Sequence, residues 1–199
     1  GGEILLSDLD GFTRVGSVMP FLQVGGDASS KEGWRIAVSL IYGMTGDRKK
    51  AAEITEKLEL CTKQEANVQF TMADRKINAV ISTSAGRLFD GVSAMLGIRR
   101  KSTFEGEASM ALEFAAEEYR ETMLEKSKQQ IQETEKYGYD KEDTDTLSRN
   151  ENLSETEEIK RMDDKLISAG DRLLLNTESL IKEILNCQLN GEDPGKLAY

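Results

Sequence analysis

Histidine is absent from the 199 residues. That removes the side chain most often used as general base and as metal ligand. Chemistry carried by the chain must therefore run on carboxylates, hydroxyls and backbone amides, or be completed by ligands elsewhere. Cysteine is scarce: Cys61 and Cys187 stand alone without CxxC spacing, which reads as two free thiols rather than a disulfide or a metal site. Positive charge is also short, with 26 Lys and Arg against 36 Asp and Glu and a formal net charge of -10. A surface of that sign argues against nucleic-acid and anionic-membrane binding, because both require clustered Lys and Arg. No apolar run approaches the roughly 20 residues that span a bilayer, and no signal peptide is visible. A cytoplasmic location is expected. The chain has no internal repeat, which excludes a solenoid.

What remains suits one domain or a large fragment, long enough to bury a core. The first stretch, "EILLSDLDGFTRVGSV", offers short strands at 3–9 and 12–18 around Asp10-Gly11, a dipeptide favoured in tight hairpin turns. The same stretch resembles the first motif of the haloacid-dehalogenase phosphatases, with Asp8 as nucleophile and Asp10 as acid/base. That class also needs a Ser or Thr, a Lys and an acidic pair holding Mg²⁺. Thr83, Lys101 and Asp163-Asp164 are the available candidates, and they fit badly. Thr83 reads as a helix cap, and "RMDDK" follows no apolar strand. The hairpin accounts for the motif without chemistry.

Further on, Gly25-Gly26-Asp27 reads as a structural turn. Ser29 or Ser30 is the expected cap of a helix whose apolar stripe is Trp34, Ile36, Ala37, Leu40 and Ile41. Residues 48–60 and 61–70 read as short helices. In "STSAGRLFDGVSAMLGI", Ser82, Thr83 and Ser84 offer caps. Leu88, Phe89, Val92, Met95 and Leu96 recur at helical spacing, and Gly97 is placed to end the helix. Phe89, Met95 and Phe114 are expected in the core. A second long amphipathic helix follows from about residue 105. From 127 to 165 the composition turns to Glu, Lys, Asp, Gln and Ser, which predicts a solvated helix end plus a flexible insertion. Arg172 to Leu175 reads as a strand, and Thr177 as the cap of a helix to about Leu185. The expected class is α+β, predominantly helical, an N-terminal β-hairpin followed by helices. Its parts are 1–126, the insertion 127–165, and 166–199.

Several of these segments together resemble one family, the hydrogenase-maturation carbamoyltransferases (HypF), in their C-terminal domain. "GGEILLSDLDGFTRVGSVMPF" looks like that family's "GGE" strand and hairpin, and "VGGDASSKEGWRIAVSL" is similar to its "PGGD…EPWRIA" segment. "TSAGRLFDGVSAMLGI" with "FEGEASMALE" is similar to its "TSSAGRLFDAVSALLGI…YEGQAAMELE" signature, and "LIKEILNCQLNGEDPGKLAY" resembles the helix and turn leading to its "FH" segment. These matches are collinear over about residues 1–112 and 170–199. The resemblance implies part of a two-lobed, actin-like ATPase-fold domain. It implies ATP and a divalent metal as cofactors, the metal held by histidines and an aspartate outside residues 1–199. It also implies carbamoyl phosphate as substrate and a HypE-like partner whose C-terminal cysteine accepts the carbamoyl group.

The resemblance carries over residue by residue. Gly1, Gly2 and Glu3 match the segment beside the phosphates of the acyl-adenylate, where glycine lets backbone amides approach anionic oxygens. Their plainer reading is a frayed terminus. Asp90 matches a helix aspartate that accepts hydrogen bonds from ribose hydroxyls. Its plainer reading is a solvent-facing residue off the Leu88, Val92 and Met95 face. Gly106 and Glu107 match the loop that meets the nucleoside, with Glu107 replacing the family's Gln and adding charge. Gly86 and Arg87 follow the cap, and Arg87 suits a phosphate or a structural salt bridge equally. Gly33 replaces the family's proline, a change expected to loosen the helix start.

A different class of reading competes with the carbamoyltransferase: an acidic helical binding or scaffold module without chemistry, which the missing histidines fit as well as they fit a piece of the enzyme. The phosphatase stands third. The hairpin reading predicts that Asp8→Asn in the longer protein leaves its turnover nearly unchanged. A loss of about a thousandfold, the scale of removing a catalytic group, would restore the phosphatase.

Overall fold

The computed structural model describes residues 1–137, 166–169 and 172–198. Strand β1 (Glu3–Ser7) and strand β2 (Phe12–Val18) form the expected hairpin. Asp8 makes its turn: one carboxylate oxygen accepts from the amides of Asp10 at 3.0 Å and Gly11 at 2.9 Å. This aspartate builds backbone geometry, the commonplace work of Asx residues in turns. Lys101 pairs with Glu32 and Thr83 donates to Glu3, so the phosphatase candidates do not converge. Asp163 and Asp164 lie outside the described residues.

The hairpin is half of a larger sheet. β3 (Phe21–Val24) and β4 (Ala79–Ser82), neither foreseen from the sequence, pair antiparallel as a separate ribbon. β5 (Leu166–Ala169) and β6 (Arg172–Leu175) join the hairpin in the order β1-β2-β6-β5. β2 and β6 run parallel in the register Gly16↔Leu173, Ser17↔Leu174, Val18↔Leu175. The fold is α+β with N-terminal strands followed by helices, as expected.

The core forms around helix α1 (Gly33–Thr45), which buries Trp34, Ile36, Ala37, Val38, Leu40 and Ile41. No side chain caps it: Ser29 and Ser30 lie within a 3-10 turn over Gly26–Ser30 and donate to the carbonyls of Gly26 and Asp27. Helices α2 (Arg48–Lys57) and α3 (Lys63–Arg75) cover one side with Ala51, Ala66 and Phe70. Asp47 caps the first, and a Thr62–Glu65 capping box starts the second. Helix α4 (Ala85–Met95), capped by Ser84, covers another side with Leu88, Val92 and Met95.

The α1–α4 approach is close enough that a Cβ on Gly33 would stand 2.5 Å from the Asp90 carbonyl oxygen, and one on Gly91 2.9 Å from Ile36 Cγ2. Gly33 therefore permits the close approach of the two helices at this point.

Helix α5 (Glu107–Tyr137) runs past residue 126 into what the sequence reads as insertion, and the remainder of that segment to 165 lies outside the described residues. Helix α6 (Thr177–Leu189) adds Ile181 and Leu185 to the core, and α7 (Pro194–Ala198) packs on α5. Asn176, not Thr177, caps α6, accepting from the Ser179 amide. Two aromatic expectations fail: Phe89 is 48% exposed and Phe114 58%, because each points off the buried stripe of its helix. Cys61 and Cys187 are free thiols. None of the described helices is long and apolar enough to cross a membrane.

Gly33→Ala is expected to destabilise the chain by about 1–3 kcal/mol, the usual cost of overpacking a tight contact. Urea denaturation measures it, and an unchanged midpoint would mean that the two helices are not held at this distance.

Candidate functional site

An open cleft of about 700 Å³ lies beside the N-terminus of α4. Its walls are the 3-10 turn, with Ser30 and Lys31, the α4 start, with Ser84 and Arg87, and the loop carrying Ser102, Thr103, Phe104 and Glu105. Gln23 of β3 completes it. The α4 start contributes first-turn amides and the positive end of the helix dipole. Lys31 and Arg87 add two cations against one carboxylate, that of Glu105. Asp90 behind Arg87 balances these side-chain charges, so the helix dipole and the polar side chains are what suit the cleft to a polar ligand.

The structure seats Gly1, Gly2 and Glu3 directly behind the α4 cap. A Cβ on Gly2 would stand 2.3 Å from the Thr83 carbonyl oxygen, and the Gly2 carbonyl accepts from the Val18 amide at 2.8 Å. Glu3 accepts from the Thr83 hydroxyl at 3.1 Å and pairs with Arg14. The terminus is therefore held, not frayed.

Asp90 lies one turn further along α4 and is buried, only 4% exposed, so it is not the solvent-facing residue of the plainer reading. Its Oδ2 stands 3.0 Å from Arg87 Nη2, an ion pair. The alignment is not that of a hydrogen bond, which leaves Oδ2 with an unmet acceptor position among the described residues. Burial pushes this carboxyl above the usual range, and the Arg87 charge pulls against it. Arg87 lines the cleft, and Asp90 stands behind it.

Gly106 and Glu107 hold the opposite wall. Gly106 begins α5 with φ 83°, a left-handed conformation that glycine adopts without penalty. Glu107 accepts from the amide and hydroxyl of Thr103 and pairs with Arg99 at 3.4 Å. The Thr103 amide, foremost, holds this carboxyl below the usual range. The charge that replaces the family's Gln is thus spent on shaping the 102–105 loop. Lys31, Ser102, Thr103 and Phe104 escaped sequence reasoning because loop residues carry no periodicity. Lys31, beside the Ser29-Ser30 pair, offered the one local clue.

Gly106→Ala should cost about 1–2 kcal/mol by forcing a Cβ into the left-handed region, and calorimetric unfolding measures that loss. Since a Cβ there meets nothing nearer than Ser109 Oγ at 3.8 Å, an unchanged melting temperature would show that the turn relaxes freely.

Comparison with known proteins places this geometry in context. The family model described as "Carbamoyltransferase, Kae1-like Domain, second subdomain" matches residues 1–199. The carbamoyltransferase HypF of Rhodobacter capsulatus is 39% identical over 117 residues, covering 58% of this chain and 15% of that protein. The probable carbamoyltransferase HypF of Methanocaldococcus jannaschii is 33% identical over 120 residues, covering 60% of this chain and again 15% of that protein. The chain thus spans about 15% of the length of these curated relatives. A crystal structure of full-length HypF in a phosphate- and nucleotide-bound form superposes on 100% of this chain and 20% of its own, with TM-score 0.64 and 22% identity. That of T. kodakarensis HypF gives TM-score 0.60 at 19% identity. At such identities the two structures establish the fold alone. The family match, which covers the whole chain, establishes more: the chain belongs to the HypF carbamoyltransferases, corresponding to the second subdomain of their Kae1-like domain.

Proposed function

We propose that this chain forms one wall of the nucleotide site in a carbamoyltransferase that works through carbamoyl-adenylate. The longer protein would use carbamoyl phosphate and ATP, then pass the carbamoyl group to the C-terminal cysteine of a HypE-like partner during maturation of a nickel–iron hydrogenase. In the transfer, the bond from the carbamoyl carbon to the adenylate phosphate oxygen breaks and a bond to the cysteine sulfur forms. The thiol proton is lost and adenylate leaves. The observation carrying this reading is the family match over residues 1–199 combined with a polar cleft at the start of α4.

In this reading the residues of the chain position and stabilise, and none attacks. Gly1, Gly2 and Glu3 hold the α4 cap beside the phosphates. Asp90 is assigned to a ribose hydroxyl by resemblance alone, since in this chain its carboxylate is enclosed behind Arg87. Gly106 brings backbone toward the nucleoside, and Glu107 fixes the loop that carries Phe104. Phosphate and ribose hydroxyls fit the donor set of Arg87, Lys31 and Ser84. A divalent metal is a different matter. Among the described residues no three carboxylate or thiol side chains gather, so no step is assigned to a metal on this chain.

With one wall and a few hydrogen bonds of about 0.5–1.5 kcal/mol each, the chain alone is expected to bind ATP no more tightly than about millimolar and to transfer no carbamoyl group. In the longer protein, Asp90→Ala should weaken nucleotide binding about tenfold, on the scale of one hydrogen bond to a charged group. Calorimetric titration of both proteins tests this. Micromolar binding by the chain alone would overturn the one-wall reading, and an indifferent Asp90→Ala variant would remove Asp90 from the site.

A further inference from the structure

The Arg87 side chain is anchored twice. Nη1 donates to the Ser30 carbonyl at 2.6 Å, and Nη2 meets Asp90 Oδ2 at 3.0 Å. Ser30 ends the 3-10 turn, so one guanidinium ties that turn to α4 and the cleft wall to the buried carboxylate behind it. A guanidinium is a rigid planar fork, and two fixed contacts set its plane. The side chains are 18% exposed for Arg87 and 6% for Asp90, so solvent screens their attraction little.

The surroundings make Arg87 the decisive charge. Helix α1 meets Asp90 through the backbone of Gly33, which brings no countercharge. At the start of α1, Glu32 pairs with Arg35 and Lys101, and at the start of α5, Glu107 is engaged by Thr103 and Arg99. Among the described residues, Arg87 is the one charge that acts on Asp90.

We infer that Arg87 is a positioning residue: anchored on the Ser30 carbonyl, its guanidinium holds the charge and the orientation of the buried Asp90 carboxylate at the base of the cleft wall. This rests on the proposed assignment of Asp90 to the nucleotide. A merely structural arginine would tie Ser30 to α4 and leave the ionisation of Asp90 alone, so the two roles differ in their pH dependence.

The sign is fixed by linkage. A carboxyl raised in the folded state holds its proton longer there than in the unfolded chain. Stability from this group is therefore greatest at low pH and falls as pH rises from the unfolded value toward the folded one. Removing the guanidinium raises the folded value further and extends that fall upward.

The test is carboxyl ¹³C NMR of Asp90 in the full chain, for wild type, Arg87→Gln and Arg87→Lys, with urea denaturation from about pH 4 to about pH 7. Arg87→Gln should raise the protonation constant of Asp90 at least about tenfold. Its stability deficit should grow with pH above a constant part, present at the acid end too, from the lost bond to the Ser30 carbonyl. Arg87→Lys, which keeps the charge, should hold the constant nearer wild type, and it decides the matter if the Gln variant does not fold. An unmoved Asp90 titration in both variants, or a deficit of equal size at every pH, overturns the inference. Titration of the longer protein with adenosine monophosphate separates the two claims. A shifted Asp90 with unchanged affinity supports the pair and overturns the nucleotide assignment.

Discussion

The contact between α1 and α4 is made backbone to side chain and backbone to backbone, and the rest of the molecule is arranged around it. Gly33 lies against the Asp90 carbonyl, and Gly91 lies against Ile36 and Leu40. With no Cβ on either helix at these points, the axes come near enough for Trp34, Ile36 and Ile41 to interlock with Leu88, Val92 and Met95. The same approach brings the Gly26–Ser30 turn within reach of Arg87. Any wider spacing would separate Arg87 from the Ser30 carbonyl and open the cleft wall at its base. Packing density in the core and geometry at the cleft are therefore a single constraint.

Electrostatics of the chain run on two scales. Globally it is acidic. Locally, Lys31, Arg87 and the first turn of α4 face Glu105 and the buried Asp90. Several acidic side chains around the cleft are already engaged: Glu32 with Arg35 and Lys101, Glu107 with Thr103 and Arg99, Glu3 with Thr83 and Arg14. Those carboxylates set loop positions, as Asp90 and the Ser30 carbonyl set that of Arg87.

What the sequence made legible follows from periodicity and capping. The stripe from Trp34 to Ile41, the run from Leu88 to Leu96 and the Asp8 turn each carry a local rule, and each forms where expected. What stayed hidden depends on distant partners. β3 and β4 are each only four residues long, and pairing with each other is what makes them strands. The burial of Asp90 depends on the approach of α1, far away in sequence, so helical phase alone put it in solvent. Phe89 and Phe114 were assigned to the core for their chemistry, although their exposure is set by which face meets a neighbour. Asn176 displaced Thr177 because caps are chosen by backbone angles that the sequence leaves open. For the site, the "GGE", Asp90 and Gly106 segments surfaced through family resemblance, and the loop donors Lys31, Ser102 and Thr103 did not.

The parallel register of β2 on β6 has a kinetic side. Gly16 and Leu173 pair across most of the chain, whereas the hairpin and the α1–α4 region bring together residues much closer in sequence. Loop-closure entropy makes such distant pairings late and slow, and topology of this kind lengthens folding times. The helical part is thus expected to order first, leaving the far edge of β2 unpaired until β6 arrives. During that interval the edge, with apolar Leu5, Leu6 and Phe12 exposed on its hairpin, is a template for other chains. The molecule's vulnerability to aggregation is set by how long that one strand waits, an interval that pulsed hydrogen exchange at Gly16, Ser17 and Val18 reads directly.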